Sequence, residues 1–160
     1  MTLKNDKISK SADVLDLFHP KDTSRSLPIA LLRAREAVMS HFRPVLKKHG
    51  ITEQQWRVIR VLAEHSELEV SEVANRAFVL GPSLSRIVRT LETRNLIKKR
   101  RDDSDGRKYW LSVTGKGTDL IHLVMPDSHR VYSELKNKLG KEHLDTLLQL
   151  LNETSALSRD

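Results

Sequence analysis

The chain is 160 residues long, enough for one domain or a small module with extra helices. Its 28 Lys and Arg exceed its 21 Asp and Glu by a formal charge of +7, which favours polyanionic partners. It has no cysteine, which excludes disulfides, thiolate metal sites and thiol redox sensing, and no apolar run approaches the ~20 residues of a membrane span or forms a secretory leader, so a cytoplasmic protein is expected.

Residues 1–27 are polar and mixed in charge and read as a flexible arm, in which Val14, Leu15, Leu17 and Phe18 form at most two helical turns before Pro20. Pro28 opens a helix to about residue 48, because the first helical amide has no intrahelical partner to lose. Leu31, Leu32, Ala34, Arg35, Val38, Met39 and Phe42 recur along it at helical spacing. Pro44 is expected to bend it and Gly50 to stop it. Thr52-Glu53-Gln54-Gln55 is a capping box for a helix through about His65, with Trp56, Ile59, Val61, Leu62 and Ala63 as its apolar face. Ser71 is expected to cap a short helix over Val73, Ala74 and Ala77. Pro82 sits in the first turn of a helix over 82–94, whose buried stripe is Leu84, Ile87, Val88 and Leu91. Its opposite face carries Ser83, Arg86, Thr90 and Thr93, with Ser85 and Arg89 at the edges. Tyr109, Leu111 and Val113 alternate with Trp110 and Ser112 at strand period, and Asp105-Gly106 is a turn signal before them. Thr114 caps a further helix, in which Pro126 is expected to give a kink or two segments, 115–125 and 127–139, before Gly140. A last helix over 141–157 carries Leu144, Leu147, Leu148, Leu151 and Leu157.

A short helix, a tight turn, a second helix and then a basic hairpin with a polar tip is the layout of a winged helix-turn-helix, in a chain that is mainly α with a small β-hairpin wing. In that layout one helix enters a DNA major groove and the hairpin reaches the adjacent backbone or minor groove. Lys98, Lys99, Arg100, Arg101, Arg107 and Lys108 put six cations in eleven residues directly after the second helix. Double-stranded DNA is therefore the expected partner. Arg86, one turn into the second helix, suits a guanine edge through two donors. Ser83 and Ser85 lie near a helix N-terminus, which suits a phosphate, and Arg89, Thr90 and Thr93 suit further phosphates. In the wing, Lys99, Arg101 and Lys108 join Arg107, which sits beside the tip. Asp105 reads as structural, holding Arg107 by a charge-assisted bond, since an acid would otherwise repel phosphate. Trp56 and Arg60 lie four apart on one helix and so share a face. An indole beside a guanidinium suits an aromatic ring carrying a carboxylate. The alternative for that pair is a core Trp and an Arg paired with a neighbouring acid.

The chain resembles the MarR family of bacterial transcriptional regulators over about residues 28–157. The resemblance rests on Pro82-Ser83-Leu84-Ser85-Arg86-Ile87, on the wing tip Asp105-Gly106-Arg107-Lys108, and on Val113-Thr114-Gly115-Lys116-Gly117, with Val113 where the family has Leu. Upstream, residues 31–39, His41-Phe42-Arg43-Pro44 and residues 52–64 resemble the subgroup that represses homoprotocatechuate and hydroxyphenylacetate catabolism. The resemblance implies a homodimer with interleaved terminal helices over 28–50 and 115–160 around a DNA-binding domain over 51–114. It implies repression at an inverted-repeat operator, relieved by a small aromatic carboxylate. It places Trp56, Arg60 and Tyr132 in the effector site, and adds Arg35 and, from the partner subunit, Ser26. Three features depart from the subgroup: the longer N-terminal arm, Gly81 in place of the usual Arg before Pro82, and Pro126 in a helix that is usually continuous.

Other classes have less to stand on. No Gly-rich phosphate loop, nucleophile elbow or His-Glu metal motif appears, so neither an enzyme nor a cofactor is expected. His122 and His129 are seven apart, but Pro126 lies between them, and no metal site is expected. A ligand-independent architectural or regulatory DNA-binding protein shares the wing and second helix without needing Trp56 and Arg60.

Overall fold

The computed structural model describes Thr23 and residues 26–157. The expected turn of helix around Val14–Phe18 and most of the arm lie outside the described residues. Among the described residues the elements run α1 (Leu27–Lys48), α2 (Glu53–Ala63), β1 (Leu68–Glu69), α3 (Val70–Arg76), α4 (Gly81–Thr93), β2 (Ile97–Arg101), β3 (Tyr109–Val113), α5 (Gly115–Leu139) and α6 (Lys141–Ser155). The chain divides into two units, one ending at His41 and one beginning at Phe42.

In the first unit, Ser26 and Thr23 lie at the start of α1, where the Ser26 amide donates to the Thr23 carbonyl (3.2 Å) and Arg33 donates to the Thr23 hydroxyl (3.1 Å). Leu27, Leu31, Leu32 and Val38 are exposed along this part of α1.

The second unit holds the core. Val58, Ile59 and Leu62 of α2, Leu84, Ile87, Val88 and Leu91 of α4, Ile97 and Leu111 of the strands, and Leu120, Ile121 and Val124 of α5 are buried together. Each such side chain stabilises the fold by about 1.5–3 kcal/mol. The stripe expected on α4 is the one buried. On α2, Val58 is buried, whereas Ala63, expected on the apolar face, is exposed. Thr52 closes the capping box with Gln55 in both directions (3.0 and 3.2 Å).

Three expectations need correcting. Ser71 is not a cap: α3 starts two residues earlier, at Val70, Glu69 holds the cap position, and the Ser71 hydroxyl donates to the Glu69 carboxylate (3.0 Å). The hairpin is not alone: β1 adds to β3, giving a three-stranded antiparallel sheet in the order β1-β3-β2, with Leu68 opposite Leu111 and Lys99 opposite Leu111 on the other side. A two-residue strand carries too little alternation to be read from sequence. Finally, Pro126 does not split α5, which runs unbroken over 25 residues. Proline forfeits one intrahelical bond, but Val124, Asp127, Ser128 and Val131 are buried on either side of it. Tertiary packing there carries the helix through the missing bond.

The wing is joined to α5 by a tight corner. Thr114 caps α5 by accepting from the Gly117 amide (3.0 Å) and donates to the Asn95 carbonyl (2.8 Å). Gly117 is required there, because a Cβ would collide with the Leu96 carbonyl oxygen.

Candidate functional site

The polar face of α4 is open to solvent. Arg86, Arg89, Thr90 and Thr93 are exposed, Ser85 is exposed, and Ser83 is half-buried. The hydroxyls of Ser85, Thr90 and Thr93 donate to the carbonyls of Gly81, Arg86 and Arg89, each one turn back (3.3, 3.0 and 2.8 Å). Their protons are thus committed within the helix, and their lone pairs face outward. These hydroxyls suit donor groups on base edges or a water shell better than phosphate, which needs a donor.

The wing is built on acids. Asp102 is its hub, accepting from the amides of Ser104 and Asp105 (both 2.9 Å), from the Ser104 hydroxyl (2.6 Å) and from the Trp110 indole N–H (2.6 Å). The Ser104 and Trp110 side chains, followed by the two amides, hold its carboxyl well below the usual carboxylate range. Asp105 accepts from both the amide and the guanidinium of Arg107 (3.1 and 3.2 Å), as the structural reading of that acid expected. Those two bonds, the amide first, depress its pKa as well. The turn closes with the Lys108 amide donating to the Asp105 carbonyl (2.8 Å).

Five of the six wing cations divide by partner. Arg100 is clamped by Glu67 through two bonds (2.9 and 2.6 Å) and lies over the Trp110 ring. Lys108 is 3.7 Å from the Glu69 carboxylate. Lys99 sits 4.1 Å from the centroid of the Tyr109 ring, and Arg101 donates to the Gly106 carbonyl. Arg107 projects into solvent, with its side chain 92% exposed against about half for Arg100 and Lys108. Glu67 thus commits Arg100 to the sheet, whereas Lys108, at the longer distance from Glu69, keeps its side chain half-exposed.

The effector candidates fall in both units. In the first, Ser26 is half-buried and the Arg35 guanidinium lies 3.2 Å from Glu36. In the second, Trp56 is half-buried and packs against the core. Arg60 is half-buried, with its guanidinium 3.9 Å from Glu64 one turn on. Tyr132 is exposed and meets the Phe42 ring edge-on, with centroids 5.0 Å apart. A concavity in the second unit is lined by Arg43, Leu46, Lys47, Gly50, Ile51, Thr52 and Glu53 and includes none of these candidates.

Comparison with known proteins decides the family. Residues 49–108 match the sequence profile described as the MarR family. The chain is 39% identical over 132 residues to the homoprotocatechuate degradative operon repressor of Escherichia coli, covering 82% of this chain and 89% of that protein. The chain belongs to the MarR family. It is also 37% identical to the transcriptional regulator FarR of Neisseria gonorrhoeae, covering 82% of this chain and 90% of that one. Among solved structures, NadR in complex with 4-hydroxyphenylacetate superposes with a TM-score of 0.73 at 37% identity, covering 83% of this chain and 94% of that one. The protein is thus a MarR-type, DNA-binding transcriptional regulator with the winged-helix fold, and no helix among its described residues is long and apolar enough to cross a membrane.

Two features of this MarR chain were missed in the sequence. Asp102 had a local signal in the Asp-x-Ser spacing to Ser104, which favours a side-chain turn, and in Trp110, whose half-buried indole needs an acceptor. Asp127 had only its i,i+3 spacing to Arg130. It is buried in α5 and accepts from Lys48 (2.8 Å), His49 (3.0 Å) and Arg130. Lys48 and His49 are far from it in sequence, and no spacing rule relates them to it.

Proposed function

We propose that this regulator is a homodimeric repressor of an inverted-repeat operator, released by a small aromatic carboxylate of the hydroxyphenylacetate class. The observation that carries the effector reading is its 37% identity, across most of both chains, to a regulator solved with 4-hydroxyphenylacetate. Trp56 and Arg60 on one face of α2 supply the chemistry: an indole surface for a ring and a guanidinium for a carboxylate. Arg35, Tyr132 and the partner's Ser26 complete the proposed site. Exposed leucines on the terminal helices support the dimer. Leu31 and Leu32 of α1 and, separately, Leu147, Leu148 and Leu150 of α6 leave apolar surface for a second copy to cover.

On DNA, α4 reads the major groove through Arg86, with Ser83, Ser85, Arg89, Thr90 and Thr93 around it. Lys99, Arg101, Arg107 and Lys108 serve the backbone or minor groove. In the proposed organisation residues 51–114 bind DNA, 28–50 and 115–160 dimerise, and 1–27 form an arm, in a cytoplasmic protein without enzymatic activity. A ligand acts by favouring one spacing of the two recognition helices, and only through its difference in affinity for the two spacings. A thermal-shift titration tests the site. At about a hundred times its dissociation constant, 4-hydroxyphenylacetate adds roughly 2.7 kcal/mol to native stability, and Arg60→Ala removes the shift. The absence of any shift in the wild type with this acid and its aromatic relatives would refute the effector reading.

A further inference from the structure

Three helices in the second unit end in the same way. After α1, the Gly50 amide donates to Lys47 (3.0 Å) and Ile51 to Leu46 (3.0 Å). After α4, Asn95 donates to Glu92 (2.8 Å) and Leu96 to Leu91 (2.9 Å). After α3, Phe78 donates to Asn75 (3.2 Å) and Val79 to Ala74 (3.0 Å). In each case the first residue is left-handed, with φ of 65°, 57° and 50° respectively, and the next residue is buried. Glycine and asparagine are the residue types this cap prefers, because a larger L side chain is strained at positive φ. Phe78 breaks the pattern. It gains nothing from the fold for doing so, since its side chain is 83% exposed. Leu80, two residues on, is 80% exposed, so the two are the most exposed large apolar side chains among the described residues. Val79 between them is buried.

Backbone strain and apolar exposure therefore coincide in one three-residue turn, and that turn leads into the recognition helix. Leu80 is the cap residue of α4, and its carbonyl accepts from Leu84 (2.9 Å). The polar face that carries Ser83 and Arg86 begins immediately after it. The surface is thus continuous with the DNA-reading face, and what a major groove offers to apolar side chains is the 5-methyl group of thymine.

We propose that Phe78 and Leu80 form an apolar reading edge that packs on thymine methyls of the operator and sets part of its sequence preference. The proposal rests on α4 being the DNA-reading helix. Burial on DNA recovers what the free protein forgoes by exposing the two side chains at a strained turn.

The test uses the full-length protein and a duplex selected by it from a random library, synthesised once with thymidine and once with deoxyuridine, which lacks only the methyl. Wild-type protein should bind the deoxyuridine duplex about fourfold more weakly for each methyl contacted. The Phe78→Asn, Leu80→Ser double variant should bind the thymidine duplex more weakly than wild type and treat both duplexes alike. Phe78→Asn alone should melt no lower than wild type, because Asn accepts the left-handed conformation. Equal wild-type affinity for the two duplexes, or a thymine preference that persists in the double variant, overturns the proposal. If Arg86→Ala still abolishes binding in that case, the assignment of α4 stands without it. If Arg86→Ala also leaves binding unchanged, the assignment of α4 falls together with the proposal.

Discussion

Removing Arg107 tests how the wing meets DNA. Its side chain is 92% exposed, and Asp105, the acid it bonds, holds it at the tip rather than drawing it back to the sheet. Each phosphate neutralised by a cation contributes about 0.9 to the slope of log affinity against log salt. A dimer presents two copies of Arg107, so Arg107→Ala should reduce the magnitude of that slope by about 1.8. If the two lines meet near about 1 M salt, the variant is roughly 30-fold weaker at about 0.15 M. The assay is fluorescence anisotropy with a labelled operator duplex over a series of salt concentrations. Lys138→Ala, which removes a cation from the last turn of α5, controls for net charge and should leave the slope unchanged. An Arg107→Ala slope equal to that of wild type would refute the wing contact, whatever the change in affinity at a single salt concentration. A loss equal at every salt concentration would point instead to an altered fold.

Three further outcomes follow from the same geometry. Gly117→Ala should cost about 1–3 kcal/mol in urea unfolding at fixed protein concentration, because the added methyl meets the Leu96 carbonyl, whereas Gly115→Ala, with open space around it, should cost nothing. A tolerated Gly117→Ala would show that the corner between wing and α5 is not close-packed. Gly81 also has open space around its Cβ position, so Gly81→Arg should fold normally and, by adding a cation at the start of α4, steepen the salt slope; a slope unchanged from wild type would place residue 81 away from the phosphates. The Asp127 carboxyl is held well below the usual carboxylate range by Lys48 first and His49 next, with Arg130 contributing. Its ionised form thus favours the folded state. The stabilisation is complete above the unfolded Asp value of about 3.9 and fades as pH falls below it. Melting temperature followed from about pH 6 to about pH 3 should therefore fall less steeply in Asp127→Asn than in wild type. Parallel profiles would remove Asp127 from the acid sensitivity of the fold.

The sequence was most legible where chemistry is local. The capping box at Thr52, the α4 stripe, the Thr114 cap, the turn at Asp105-Gly106 and the Asp105–Arg107 pair all depend on residues a few positions apart, and all are present. What escaped depends on distant partners. β1 is two residues long and exists because β3 offers it an edge. Pro126 breaks helices by its own chemistry, yet buried neighbours carry α5 past it. Glu67 and Glu69 read as ordinary surface acids until the sheet brings them to Arg100 and Lys108, which changes how much of the wing's charge is left for DNA. The exposure of Phe78 was equally hidden, since an apolar residue beside a buried Val79 reads as core. Of the effector candidates, only the shared face of Trp56 and Arg60 followed from spacing alone. The others came from resemblance to relatives.

Release of this protein from its operator by an aromatic carboxylate bound through Arg60, as proposed, is open to direct measurement. The most direct test is a titration of the preformed protein–operator complex with 4-hydroxyphenylacetate, followed by anisotropy at constant ionic strength, for wild type and Arg60→Ala. Saturable release from the wild-type complex is expected at acid concentrations that leave the Arg60→Ala complex intact, with both proteins binding operator alike in the absence of acid. Release of both complexes at the same concentration, or of neither, would contradict it.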